Sequence, residues 1–216
     1  ARLKKRERLT GHCVVFITPD AERTFAVHYG AAAEIAITDI DDEDIAASKV
    51  LHLEGYQLVD KELLKVCVSA IETAKKNKTF VSIDLGDPGI VGKNKELFLK
   101  LAKDADIVFA NEEEAFELTG KKAEEALNEL SKSCETVIVK LGAKGSLIRH
   151  KMKKYRVDAV KTAVVDTTGA GDAYAAGILY GLTNGLSMEE AGNLASKLAA
   201  KVVAQVGARF GTDVLN

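Results

Sequence analysis

The run Asp166-Thr167-Thr168-Gly169-Ala170-Gly171-Asp172 joins a glycine turn to a carboxylate at the head of an expected helix. Residues 161–165 upstream are β-branched and read as a short strand, while residues 173–182 downstream are rich in alanine and aliphatics, so the run is expected on a strand-to-helix turn. There the N–H groups of Gly169, Ala170 and Gly171 would face one spot, where orphan amides and the helix dipole favour a phosphate or a developing oxyanion. Asp172 would stand beside it. A carboxylate next to a bound phosphate is repulsive at rest, so an aspartate here makes best sense as a base that takes a proton from an attacking hydroxyl. The plainer reading is a carboxylate capping a helix after a glycine turn.

The elements that must position these residues follow from the apolar pattern. Residues 12–18 and 23–29 are β-rich runs around Pro19-Asp20-Ala21-Glu22, a turn sequence, and read as a hairpin. Beyond them, short apolar strands at 50–53, 80–84, 107–110 and 137–140 alternate with helical stretches such as 61–76 and 93–103. That alternation predicts βαβ crossovers and an α/β fold with a mainly parallel sheet and helices on both faces. Residues 151–165 interrupt it with two expected antiparallel strands, and the last long helix carries Met188, Ala191, Leu194, Ala195, Leu198, Ala199, Val202 and Val203 at core spacing.

In a parallel sheet, ligands gather beyond the carboxyl ends of the strands. Asp84 ends one expected strand, Asn111 follows another and Lys140 ends a third, so residues far apart in the chain converge on one edge. Asn111 with Glu114 three residues on also spells a helix capping box, and Asp84 and Asp87 are polar strand-end residues of a common kind. No Gly-x-x-x-x-Gly-Lys-Ser/Thr is present, which excludes a P-loop. Tyr174 occupies the third glycine position of a dinucleotide fingerprint, which disfavours hydride transfer. His12, His28, His52 and His150 show no ligand spacing and read as structural.

With 30 basic and 32 acidic residues, the chain carries no general electrostatic pull toward nucleic acid or an anionic membrane. The opening Lys4-Lys5-Arg6 is too short to change this. Its 47% hydrophobic content over 216 residues can bury one sizeable core. Cys13, Cys67 and Cys134 are few, odd in number and widely spaced, as reduced buried thiols of a cytosolic protein would be. No long apolar run marks a membrane span.

The glycine-rich run resembles the second signature of the ribokinase-like (PfkB) family of sugar and nucleoside kinases, written Asp-Thr-x-Gly-Ala-Gly-Asp. Asn111-Glu112-Glu113-Glu114 is similar to that family's Asn-x-x-Glu motif, and Lys140-Leu141-Gly142-Ala143-Lys144-Gly145 to its nucleotide-side strand and glycine turn. Their order and separation match as well. The resemblance implies a ribokinase-like body over residues 31–216, a β-hairpin lid remnant over residues 1–30, and transfer of the γ-phosphoryl group of ATP to an alcohol of a small sugar or nucleoside. Asp172 would then be the general base and the amides of Gly169, Ala170 and Gly171 the anion hole. Asn111 and Glu114 would serve phosphate and the water around magnesium, in keeping with magnesium's retention of water ligands. By the same resemblance Lys140, Gly142 and Gly145 would border the nucleotide, Ser196 and Gly207 would line the adenine side, and Asp166 and Thr168 correspond to a potassium site in some relatives.

The resemblance leaves roughly the first third of the family domain without a counterpart, including the opening strand with its acceptor-binding aspartate. The chain is therefore expected to be a fragment that begins inside the lid, with a homodimer through that lid as one form of association. Two other function classes compete with the kinase: a non-catalytic nucleotide-binding module of kinase descent, and a structural α/β partner domain without nucleotide affinity.

Overall fold

The computed structural model describes residues 4–17 and 23–209. It opens with an antiparallel pair, β1 (His12–Ile17) and β2 (Arg23–His28), in register from His12 opposite His28 onward. The expected turn at 19–22 lies outside the described residues. Val14, Phe16, Phe25 and Val27 are each about half exposed, so this small sheet presents apolar side chains that the described residues leave uncovered.

The body runs α1 (Asp42–Ala47), β3 (Val50–Glu54), α2 (Lys61–Asn77), β4 (Phe80–Asp84), α3 (Pro88–Lys93), α4 (Lys95–Asp104), β5 (Ile107–Asn111), α5 (Glu112–Thr119) and α6 (Ala123–Leu130). It continues through β6 (Thr136–Lys140), β7 (Ser146–His150), β8 (Lys153–Val157), α7 (Ala170–Thr183) and α8 (Met188–Val203). One six-stranded sheet holds β3 to β8 in chain order, parallel from β3 to β6 and antiparallel from β6 to β8.

Strand residues point alternately to opposite faces, and the two faces have separate cores. Val108, Ala110, Val137 and Val139 pack with α2, α5 and α6 residues such as Ile71, Leu118 and Leu127. Ile107, Phe109 and Ile138 face the other way, against Tyr174 and Ile178 of α7 and Ala191 and Ala195 of α8. Strands so enclosed read as continuous apolar runs, which is why residues 107–110 of β5 and 137–139 of β6 are all apolar. Helix boundaries follow local chemistry: Asp60 accepts the Glu62 and Leu63 amides at the start of α2, and Ser187 with Glu190 forms a capping box on α8.

Four expectations are corrected. Residues 161–165 form no strand; their β-branched side chains have no ladder partner, Val164 and Val165 are exposed, and the Val165 and Asp166 amides donate instead to the Val203 carbonyl at 2.7 and 3.3 Å. The antiparallel strands begin earlier than 151, at Ser146, so that β7 returns directly along β6. The stretch 93–103 is not one helix, because Asn94 leaves helical geometry and its side-chain amide donates to the Ile90 carbonyl at 2.9 Å, ending α3 before α4 starts. Of the cysteines, Cys67 and Cys134 are buried thiols but Cys13 is exposed on β1.

Candidate active site at the strand ends

The carboxyl ends of β3 to β6 bring together Glu54, Asp84, Asn111 and Lys140: Glu54 is in register with Asp84, and Asn111 with Lys140. The N-terminus of α7 comes down on this edge. Gly169 stands at its N-cap with φ of 80°, a left-handed conformation that a side chain would strain, and an added Cβ would lie 2.6 Å from the Ala208 Cβ. Ala170 donates its amide to the Thr167 carbonyl at 3.2 Å, so it turns the chain rather than facing outward. Among the described residues, the amides of Gly169, Gly171 and Asp172 have no backbone acceptor. These three amides, and not that of Ala170, form a rim left without a backbone partner at the helix end.

The rim is braced from behind. Asp166 accepts the Thr168 amide and hydroxyl at 2.9 and 2.7 Å through one oxygen and the Gly207 amide at 3.0 Å through the other. Gly207 thus ties the segment after α8 to the glycine turn.

Lys140 lies under the same helix end. Its ammonium donates to Asp84 Oδ2 at 2.6 Å, and a Cβ built on Gly171 would be 3.2 Å from its Nζ. Burial works against the charge of Lys140, yet the facing Asp84 and Glu114 carboxylates hold its pKa above the ordinary lysine value. Asp84 is itself 4% exposed and accepts the Gly86 amide at 3.3 Å.

Glu114 is 3% exposed at the start of α5 and forms a complete capping box. Its two oxygens accept the Asn111 backbone and side-chain amides, each at 2.7 Å, while its own amide donates to Asn111 Oδ1 at 2.8 Å. Burial pushes this carboxyl up to about 7; the Lys140 charge opposes the rise, and Asp84 and Asp87 add to it. Asp87 caps α3 by accepting the Ile90 amide at 2.8 Å.

Asp172 keeps an open side to solvent. Desolvation on its inner side, followed by the Glu54 and Asp84 charges, raises its carboxyl above the usual aspartate range against the pull of Lys140 and His52. A carboxylate with a raised pKa is a stronger base than a free one, which suits proton removal from an alcohol.

Three residues of this edge were not legible in the sequence. Glu54 ends β3, and His52, two residues back on the same face, reaches Glu54 Oε1 at 3.1 Å and Ser82 Oγ at 3.0 Å. Tyr56 donates its hydroxyl to the Gly86 carbonyl at 2.7 Å, clamping the turn after Asp84; desolvation and the surrounding carboxylates push its pKa up to about 12. A charged residue closing an otherwise apolar strand is the signal that could have found Glu54. Tyr56 gives no such signal, because a tyrosine in a loop is ordinary.

Beside the rim opens a mainly apolar cavity of about 590 Å³ between the β6–β7 turn, the segment after β8, and helices α7 and α8. Lys140, Gly142, Gly145, Gly171, Tyr174 and Ser196 lie on its wall, whereas Gly207, Asn111 and Glu114 do not. Gly145 has φ of 85°, and a Cβ there would meet the Val157 carbonyl oxygen at 1.9 Å, so only glycine allows this wall to close. The Ser196 hydroxyl accepts the Val160 amide at 3.1 Å and donates to the Asp158 carbonyl at 2.9 Å, which fixes the wall opposite.

No three His, Cys, Asp or Glu side chains among the described residues converge closely enough to hold a metal unaided. No described helix is long and apolar enough to cross a membrane.

Comparison with known proteins agrees over most of the chain. The profile of the pfkB family of carbohydrate kinases matches residues 2–214. An uncharacterized sugar kinase of Archaeoglobus fulgidus is 30% identical over 207 residues, covering 89% of this chain and 76% of that protein. A 5-dehydro-2-deoxygluconokinase of Bacillus subtilis is 30% identical over 164 residues, 71% of this chain and 50% of the relative. Among solved structures, the adenosine kinase of Sinorhizobium meliloti superposes with a TM-score of 0.90 at 35% identity, over 95% of this chain and 64% of that one. The chain thus spans between half and three quarters of the length of these proteins.

Proposed function

Because the chain belongs to the pfkB family of carbohydrate kinases, with the ribokinase-like α/β fold, we propose that its site transfers the γ-phosphoryl group of ATP to an alcohol of a small sugar or nucleoside. The observation that carries this reading is the meeting of the α7 N-terminus, with Asp172 on its first turn, and the strand ends bearing Asp84 and Lys140, directly beside an apolar cavity of about 590 Å³. Such a cavity suits a flat base, and the amide rim suits the phosphates attached to it.

Asp172 accepts the proton of the acceptor hydroxyl, and the amides of Gly169, Gly171 and Asp172 take up charge on the moving phosphoryl group. Lys140, Gly142 and Gly145 border the nucleotide, and Ser196 lines the adenine side. Glu54 and Asp84, which flank Asp172, face the acceptor side. The edge also carries Glu114, so four carboxylates, Glu54, Asp84, Glu114 and Asp172, gather around one ammonium, and Asp87 adds its charge beside Glu114. That surplus fits a magnesium ion carried in by the nucleotide and held through water at Glu114, with Asn111 on the phosphates. Magnesium would supply charge neutralisation on the phosphates. Asp166 and Thr168 are the residues we assign to a monovalent cation such as potassium, next to Gly207. The reaction belongs in the cytosol, where ATP and thiols such as Cys67 and Cys134 coexist, and a second copy pairing through the β1–β2 sheet would cover its apolar faces.

A phosphorylation screen of ribose, fructose, adenosine and related nucleosides with the complete gene product tests the reading. Turnover of at least one alcohol, lost in Asp172→Asn, is the expected result. Binding of magnesium–ADP with no turnover of any acceptor would favour the alternative of a non-catalytic nucleotide-binding module, and no binding at all would leave a structural domain.

A further inference from the structure

Lys140 is placed where a lysine that only borders a nucleotide has no reason to be. Its ammonium lies beneath the first turn of α7, within 3.2 Å of where a Cβ on Gly171 would stand. The N-terminus of a helix is itself a centre of positive charge, so an ammonium beside it is unfavourable unless an anion is shared between them. Asp84, at 2.6 Å, takes one of the three N–H groups, and among the described residues the other two have no recorded acceptor. The side chain still reaches the cavity wall, with 17% of its surface exposed. A residue larger than glycine at 171 would close the gap between ammonium and amide rim.

We propose that Lys140 is a catalytic residue that binds the transferring phosphoryl group beside the amide rim, with Asp84 as the positioning residue that holds the ammonium there. This rests on the kinase reading and assigns a part of that same site. In the transfer, the acceptor oxygen forms its bond to the γ-phosphorus as the bond from that phosphorus to the bridging oxygen breaks. The bond's electron pair leaves on ADP, and the hydroxyl proton passes to Asp172. Negative charge on the departing bridging oxygen and the peripheral oxygens is met by the two remaining N–H groups of Lys140 and by the amide rim. Asp84 serves between turnovers by keeping the ammonium charged and aimed.

The test uses the complete protein with Lys140→Met, Asp84→Asn and the double variant Lys140→Met/Asp84→Asn. Lys140→Met leaves Asp84 buried without its cation and risks a folding defect; the double variant removes both charges and avoids it. We expect the double variant to fold with a Tm near the parent's, while kcat falls roughly 100-fold or more, the loss typical of one charge-stabilising donor, and by a larger factor than any loss of magnesium–ADP affinity. Calorimetry supplies a readout without an acceptor. Aluminium fluoride added with magnesium and ADP, to mimic the moving phosphoryl group, should tighten binding to the parent and not to the double variant.

A double variant whose kcat lies within about threefold of the parent's, or whose affinity gains as much from aluminium fluoride, would show that Lys140 and Asp84 are only a structural pair. That result would leave the kinase reading intact so long as the parent turns over and Asp172→Asn does not. A parent that binds no magnesium–ADP overturns both.

Discussion

Glu114 should make the free protein less stable as pH rises, and a single substitution isolates the effect. The carboxyl is 3% exposed, and its pKa is raised from 4.5 to about 7, chiefly by burial. The folded state therefore holds its proton more tightly than the unfolded chain, so the stabilisation it gives is fully present below about pH 4.5 and is lost as pH climbs through 7. Between about pH 5.5 and about pH 8 the linkage relation gives a loss of about 2 kcal/mol from this one group, or about 1 M in a urea midpoint. Glu114→Gln cannot titrate. It also turns one N–H donor toward Asn111, whose backbone and side-chain amides both donate to Glu114, so the variant carries a pH-independent penalty of roughly 1–3 kcal/mol. The slope and not the offset is the signal. Urea unfolding of the parent and Glu114→Gln, in chelator without nucleotide, should show the parent losing about 2 kcal/mol more across that interval. Parallel pH dependences would mean that Glu114 is ionised throughout, and that burial at the capping box does not set its charge.

Four other outcomes follow from the same geometry. Asp172→Asn in the complete protein should lower kcat by on the order of 100 to 10,000-fold with ATP affinity nearly unchanged, and steady-state kinetics retaining more than about a third of the parent's kcat would remove it as the base. Glu114→Gln should raise the magnesium concentration for half-maximal rate more than it changes acceptor KM, which a magnesium titration reads directly. Gly171→Val should weaken magnesium–ADP binding in calorimetry, because its Cβ would press on the Lys140 ammonium at 3.2 Å and its branches would cover the amide rim; unchanged affinity would place the phosphates elsewhere. The half-exposed Val14, Phe16, Phe25 and Val27 of the β1–β2 sheet should drive self-association of residues 1–216, and a monodisperse monomer in ultracentrifugation would contradict this.

The fold was legible where burial on both faces forces an apolar run. β5 and β6 are packed by helices on both faces, so nearly every residue must be apolar, and their boundaries could be read to within a residue. The glycine turn was legible for a different reason: Gly169 needs a left-handed backbone against Ala208, which few residues besides glycine tolerate. Gly171 is a useful contrast. It adopts ordinary helical geometry, and its glycine leaves room for the Lys140 ammonium, a tertiary fact with no local trace. The misread strand at 161–165 has the same origin, since β-branched residues favour a strand only when a neighbouring strand offers its ladder, and the chain there bonds to the end of α8 instead.

What the sequence could not convey is how the charges of this edge depend on one another. Each of Glu54, Asp84, Asp87, Glu114 and Asp172 has a plain local explanation, as a strand end, a cap or a turn residue, and taken singly none calls for a function. Together they put four carboxylates within electrostatic reach of one lysine, with Asp87 acting on Glu114, against the general rule that buried charge is paired. Two features keep the free protein foldable with that surplus: Glu114 can take up a proton near neutral pH, and Asp172 keeps an open side to solvent. Both are states that a bound cation would reverse, by holding Glu114 ionised and by offsetting the charge around Asp172. The cluster is thus left short of positive charge by the described residues, and under the kinase reading a cation carried in by the nucleotide would complete its balance, which is why its meaning resides in the fold and not in any one motif.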